Sequence, residues 1–236
     1  EGNPWGVEFR QGLFNMTSDS HLFRTAEQLT AEGWHQDGVE WTRSGLRMVP
    51  LFEAKMGDFY DHRAAGYDSR GDERGYRVLP DTSEEDHKNP EYEPLPYYWV
   101  PYDEFDKAIP KSKSSDWFIG FKLVTSPTNE RTFVSYPLPA WGCGNSLPII
   151  FPDRNLQGRG AIAGLIAQIS SLPFDFVARQ KAGGVNLNFF YVKQFPVLPP
   201  SAYSETDLDF IVARVLELTY TSHAMKPWAE DLGYSG

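Results

Sequence analysis

Three short stretches place groups that could do chemistry at suggestive spacing. Glu53-Ala54-Lys55 closes a run of β-forming residues and is preceded by Asp37. Metal-dependent nucleases hold Mg²⁺ between an Asp and a Glu with a Lys two residues after the Glu, because strand alternation turns Glu and Lys to one face. The pattern is three residues long, and an exposed strand produces the same pair as a plain ion pair, so both readings stand. Gly158-Arg159-Gly160 with Gly164 follows a strand and precedes a helix. Its third glycine falls one residue late for a dinucleotide loop, which needs that spacing to aim helix amides at a pyrophosphate. These glycines read as loop and helix-packing positions.

The third stretch is FVARQKAGGVNLNFFYVKQFPVLPP, from Phe176 to Pro200. Arg179 and Lys181 flank a Gly183-Gly184 turn, which lets a backbone approach a partner closely, and the two cations suit an anionic one. Asn186 and Asn188 follow in a β-forming run to Val192 that reads as a strand. The plain alternative is an edge hairpin. A similar polar pair, Asn129 in the turn Ser126 to Glu130 and Arg131 just after it, sits between two apolar runs. The five histidines show no metal spacing; Asp61-His62-Arg63 alone stands beside other polar groups and reads as a surface histidine. No Gly-x-Ser-x-Gly supports nucleophilic hydrolysis.

The elements that must position these residues follow from periodicity. A helix capped by Ser18 or Asp19 runs to Glu32 and stops at Gly33. Val39 to Thr42 and Met48 to Ala54 form a hairpin around Ser44-Gly45. Residues 68–96, rich in charge, Gly and Pro, read as an exposed excursion with a short strand at Tyr76 to Leu79. Tyr97 to Val100 is a strand and Tyr102 to Ile109 a helix ended by Pro110. Trp117 to Thr125 and Arg131 to Tyr136 are paired strands, followed by a loop to Asn145 and a strand from Leu147 to Phe151. A helix from Leu156 breaks near Pro173 and resumes toward Arg179. The last helix, Glu205 to Ser222, buries Leu208, Ile211, Val212, Val215, Leu216 and Leu218. The outcome is an α+β fold, a mixed and largely antiparallel sheet with flanking helices.

Composition sets the limits. The chain has 236 residues, 41% of them hydrophobic and 15% aromatic, enough for a substantial core. Its net charge of -10, from 22 basic and 32 acidic residues, excludes diffuse binding to nucleic acid, so any phosphate contact must be local. The cations do cluster: Lys107, Lys111, Lys113 and Lys122 lie near Arg131 in sequence, Lys193 follows Lys181, and Lys55, Arg63 and Arg70 form a third group. One cysteine, Cys143, excludes an internal disulfide and a cysteine-rich zinc site, and points to a reducing cytoplasm. No run of about 18 apolar residues marks a membrane span. A start at Glu1 and an end at Leu232-Gly233-Tyr234-Ser235-Gly236 read as a piece cut from a longer chain.

Several segments together resemble restriction-modification and phage-defence adenine-N6 DNA methyltransferases of the type IIG-like, single-chain kind. They are MVPLFEAKM (Met48 to Met56), Asp61-His62-Arg63, WFIGF (Trp117 to Phe121) with TSPTNERT (Thr125 to Thr132), GCGNSLP (Gly142 to Pro148), the Phe176 to Pro200 stretch, and RVLELTYTSHAMKPWAEDLGY (Arg214 to Tyr234). They recur there in this order and span nearly the whole chain. The family's catalytic Asn-Pro-Pro-Tyr-like tetrad is missing. Asn89-Pro90-Glu91-Tyr92 departs at its third position, Leu198-Pro199-Pro200-Ser201 lacks both Asn and aromatic, and no glycine loop for S-adenosylmethionine stands out.

The resemblance therefore implies the target-recognition region over residues 1–236, akin to a type I specificity-subunit domain and not catalytic alone. Its partners would be double-stranded DNA and the catalytic domain of the same parent chain, which would bind S-adenosylmethionine and flip the adenine. In such a domain Arg179, Lys181 and the Gly183 and Gly184 amides suit phosphates, Asn186 or Asn188 an adenine edge, and Asn129 and Arg131 a base edge, Arg pairing bidentately with guanine. A Mg²⁺ nuclease built on Glu53 and Lys55, and a non-catalytic partner-docking module favoured by the acidic balance, are the competing classes.

Overall fold

The structure is a computed structural model that describes residues 2–68, 79–113, 115–153, 160–182, 184 and 186–236. Its strands are β1 (Glu8–Arg10), β2 (His35–Asp37), β3 (Glu40–Arg43), β4 (Leu46–Phe52), β5 (Tyr98–Pro101), β6 (Trp117–Phe121), β7 (Ser135–Pro139), β8 (Gly142–Cys143) and β9 (Ile149–Phe151). Its helices are α1 (Ala26–Ala31), α2 (Glu84–Lys88), α3 (Tyr102–Ala108), α4 (Ala161–Ile169), α5 (Leu172–Lys181), α6 (Phe189–Val192), α7 (Glu205–Thr219) and α8 (Lys226–Asp231). The fold is α+β with two sheets. One is antiparallel in the order β1-β9-β6-β7; the other runs β2-β3-β4-β5, with β8 added parallel to the end of β4.

Strand alternation explains how the layers stack. Along β6, Trp117, Ile119 and Phe121 face α4, α5, α7 and α8, while Phe118 faces the second sheet. β9 repeats the split, with Ile150 on the helical side and Ile149 and Phe151 on the other. Val49, Leu51 and Phe52 of β4 meet that inner face, and Met48 turns outward to Leu29 of α1 with Trp34, Trp41 and Trp99. Helices, sheet, sheet and α1 therefore form successive layers. Each large side chain sealed between them contributes about 1.5–3 kcal/mol of apolar burial. The chain passes between sheets at Ala140-Trp141, where β7 ends and β8 begins.

The β3–β4 hairpin is as expected, with Ser44 and Gly45 at φ 50° and 81°, the left-handed pair a two-residue turn requires. β7 reaches through Pro137 to Pro139, past the expected strand end, because it is an edge strand and one side of it needs no donors. The first helix starts later than expected. Asp19 only precedes a 3₁₀ turn, Ser20–Leu22, without a side-chain cap, and Phe23 is extended; Arg24 pairs with Trp99, and α1 begins after Thr25, whose side chain and Gln28 form a capping box. α7 also departs from the expected stripe: it ends at Thr219, Val215 and Thr219 are its buried residues, Leu208, Ile211, Val212 and Leu216 are half-buried, and Leu218 is exposed.

Residues 69–78, including Arg70 and most of the strand expected at Tyr76 to Leu79, lie outside the described residues. The rest of the 68–96 excursion is anchored, not free. Leu79, Pro94 and Pro96 are buried, and carbonyls of His87, Asn89 and Tyr92 accept from the fully buried Arg63. No single helix among the described residues is long and apolar enough to cross a membrane.

Candidate functional site

α5 begins where Ser171 caps it, its side chain accepting from the Phe174 amide, and Pro173 fits the first turn because it has no donor to lose. One turn in, Asp175 is buried and its Oδ1 accepts the amides of Thr132 and Phe133 at 2.7 and 2.8 Å. Arg179, a turn later, donates Nη2 to Asp175 Oδ2 at 3.1 Å, and to the carbonyls of Pro127 (Nη1, 2.6 Å) and Glu130 (Nη2, 2.8 Å). The loop Ser126 to Thr132 is thus fixed at both ends by one helix. Asn129 is exposed at its tip, in a turn closed by its own amide on Ser126 O.

The segment after α5 joins the same edge. Asn186 bridges Val124, and the Leu187 amide donates to Leu123 O at 2.8 Å. The candidates drawn from two distant stretches of sequence, Asn129 and Arg131 in one and Arg179, Lys181, Gly184, Asn186 and Asn188 in the other, converge here. Gly183 lies outside the described residues. Lys181, Gly184, Asn186 and Asn188 are exposed.

Two expectations about this stretch are corrected. Residues 189–192 are not a strand: Asn188 caps the short helix α6, its side chain accepting from the Tyr191 amide, and the aromatic residues follow that turn. Local Asn capping prevails over β propensity. Arg179 is also not a free phosphate ligand, since its guanidinium is engaged by the loop and by Asp175.

The cations sort differently than by sequence. Arg131 lies with its Cζ 4.6 Å from the Phe59 ring centroid, and its Nη1 is buried without a partner among the described residues. Lys122 pairs with Asp58 at 3.3 Å and Lys107 with Glu104 at 2.8 Å. Lys193 reaches over the Phe9 ring at 5.8 Å. In the third group Arg63 is fully buried and Lys55 pairs with Glu53 at 3.4 Å, while Arg70 lies outside the described residues. Of the aromatic residues near these cations in sequence, Trp117 is buried, with its indole on Asp231, and Phe190 is exposed.

Glu53 and Lys55 also depart from the nuclease geometry. β4 ends at Phe52, and Lys55 belongs to the 3₁₀ turn Ala54–Met56, so strand alternation does not align them. Glu53 Oε1 accepts from Tyr67 OH at 2.7 Å and Oε2 faces Lys55, the ion-pair alternative. Among the described residues no group of three His, Cys, Asp or Glu side chains is placed to hold a metal ion.

A second polar constellation escaped sequence reasoning. His62 is not at the surface: its side chain is 1% exposed and its Nε2 lies 2.9 Å from Oε2 of Glu93, itself 7% exposed. Around them His87 Nε2 meets Asp61 Oδ2 at 3.0 Å, Tyr92 OH donates to Asp68 Oδ2 at 2.8 Å, and His223 Nδ1 meets Glu91 Oε1 at 2.7 Å. Burial first, then the bond to Asp68, pushes the Tyr92 phenol well up. The only signal for this group was the clustering of Asp61-His62-Arg63; its carboxylate partner, Glu93, lies 31 residues on.

Compared with protein-family models, with curated proteins and with solved structures, the chain matches none.

Proposed function

We propose that this chain is the DNA-reading part of an adenine-N6 DNA methyltransferase from a restriction-modification or phage-defence system. It recognises the target sequence, while a separate catalytic domain of the parent chain binds S-adenosylmethionine, flips the adenine and methylates it. The observation that carries this reading is the convergence on one edge of Asn129 with Lys181, Gly184, Asn186 and Asn188, from segments some fifty residues apart. Base reading asks for amide side chains on a preorganised support, with cations and main-chain amides beside them for phosphates. The Asp175–Arg179 clamp supplies the support, and Lys181 the nearest exposed cation. The resemblance along the chain supplies the rest.

A titration of duplex DNA against the chain over a range of salt tests it. Recognition predicts an affinity that falls linearly in log-log form, with a slope set by the phosphates neutralised. Failure to bind any duplex at low salt would overturn recognition by this segment. The docking alternative has one observation in its favour. Leu172 and Phe176, four apart on α5, are 69% and 63% exposed, an apolar strip suited to another protein surface.

A further inference from the structure

Away from that edge, a cavity of about 590 Å³ opens between the β2–β3 hairpin (Gln36 to Glu40), the segment Pro90 to Leu95, Trp141 and His223-Ala224. Asp37, Glu40, Asp68, Glu91 and Glu93 line it, and among the described residues no Lys or Arg does. Most of these carboxylates are already engaged. Glu40 takes Arg47 through both oxygens, Asp68 takes the Tyr92 hydroxyl, and Glu91 takes His223.

Glu93 is different. His62 Nε2 lies 2.9 Å from Glu93 Oε2, and Glu93 Oε1, like His62 Nδ1, is buried with no partner among the described residues. The adjacent cation does not serve it: both Nη atoms of Arg63 go to four main-chain carbonyls, those of His87, Asn89, Tyr92 and Thr221, and its Nε is itself buried without a partner among the described residues. A carboxylate held out of water with one oxygen unpaired is a strong acceptor awaiting a charged donor. Trp141, buried against Phe52 and His62, and the half-buried Tyr92 belong to the same wall.

We infer that this cavity receives an arginine side chain of a protein partner, its guanidinium paired with Glu93 and flanked by Trp141 and Tyr92. A planar cation with several donors fits both the free carboxylate oxygen and an aromatic wall, which a compact ammonium matches less well. Nucleic acid is repelled by the same carboxylates. The absence of a three-ligand group among the described residues disfavours a metal ion. The inference does not depend on the DNA reading.

Isothermal titration calorimetry with N-acetyl-L-argininamide tests it, alongside N-acetyl-L-citrullinamide, which keeps the shape and loses the charge. The argininamide is expected to bind saturably at millimolar concentration or below, and the citrullinamide at least tenfold more weakly. The indole N–H signal of Trp141 should shift in step. Glu93→Gln, whose amide offers His62 both a donor and an acceptor, is expected to weaken binding at least tenfold with its circular dichroism melt unchanged. Should that variant fail to fold, Asp37→Asn, on the exposed hairpin, carries the test with a loss of about threefold. Equal binding of the two ligands, wild-type affinity in a folded Glu93→Gln or in Asp37→Asn, or no saturation by wild-type protein would each overturn it.

Discussion

Asp175 and Arg179 stand one turn apart on α5, 3.1 Å from each other, and divide one loop between them. The carboxylate holds the amides of Thr132 and Phe133, and the guanidinium holds the carbonyls of Pro127 and Glu130. Removing Asp175 leaves two main-chain donors and a cation without their acceptor, so Asp175→Ala is expected to cost about 3 kcal/mol or more in urea unfolding. Arg179→Ala should cost less, about 1–2 kcal/mol, because its side chain is partly solvated. It should nevertheless speed hydrogen exchange of the Asn129 amide. Unchanged exchange there would mean that the loop holds itself.

The same clamp divides roles in DNA binding. Lys181→Ala is expected to weaken binding to all duplexes alike and to reduce the salt slope by about 1. Asn129→Ala and Asn186→Ala should instead change which sequence is preferred, by about 1–3 kcal/mol of discrimination for a paired base edge. Competition binding with a randomised duplex pool separates the two behaviours. If all three variants shift every sequence equally, none of these side chains reads bases.

Glu53 is expected to stabilise the fold and to have no part in cleavage. It holds the Tyr67 hydroxyl and Lys55 where β4 ends, so Glu53→Ala should lower stability by about 1–2 kcal/mol. Mg²⁺ should leave DNA uncut by this chain. Cleavage that Glu53→Ala abolishes would restore the nuclease reading.

Cys143 gives a pH dependence with a definite sign. Burial pushes its thiol well above the ordinary range. Because the folded state holds this proton more tightly, the contribution is fully present below the unfolded thiol pKa, about 8.5, and is lost as pH rises from there toward the folded value. By about pH 10 the loss reaches about 2 kcal/mol, and Cys143→Ala should flatten that fall in denaturant unfolding. Iodoacetamide should label the thiol only on unfolding. Rapid labelling of the native protein would show that the site opens.

The hairpin around Ser44-Gly45, the breaks at Gly33 and Pro110, the helix restart at Pro173 and the α+β class are all legible in the sequence, because each depends on a local turn, cap or alternation. Local signals misled where two of them competed: Asn188 as a cap outweighed the β propensity of Phe189 to Val192. What only the tertiary structure decided is which polar groups remain available. Arg179, expected to suit phosphates, is spent on loop carbonyls; Arg63, grouped by sequence with Lys55 and Arg70, is buried among four carbonyls; His62, expected exposed, is sealed against Glu93. The chain lists its charges in order. Only packing brings a carbonyl or carboxylate from thirty to a hundred and fifty residues away to meet them, and a charge removed from water must take the partner it meets.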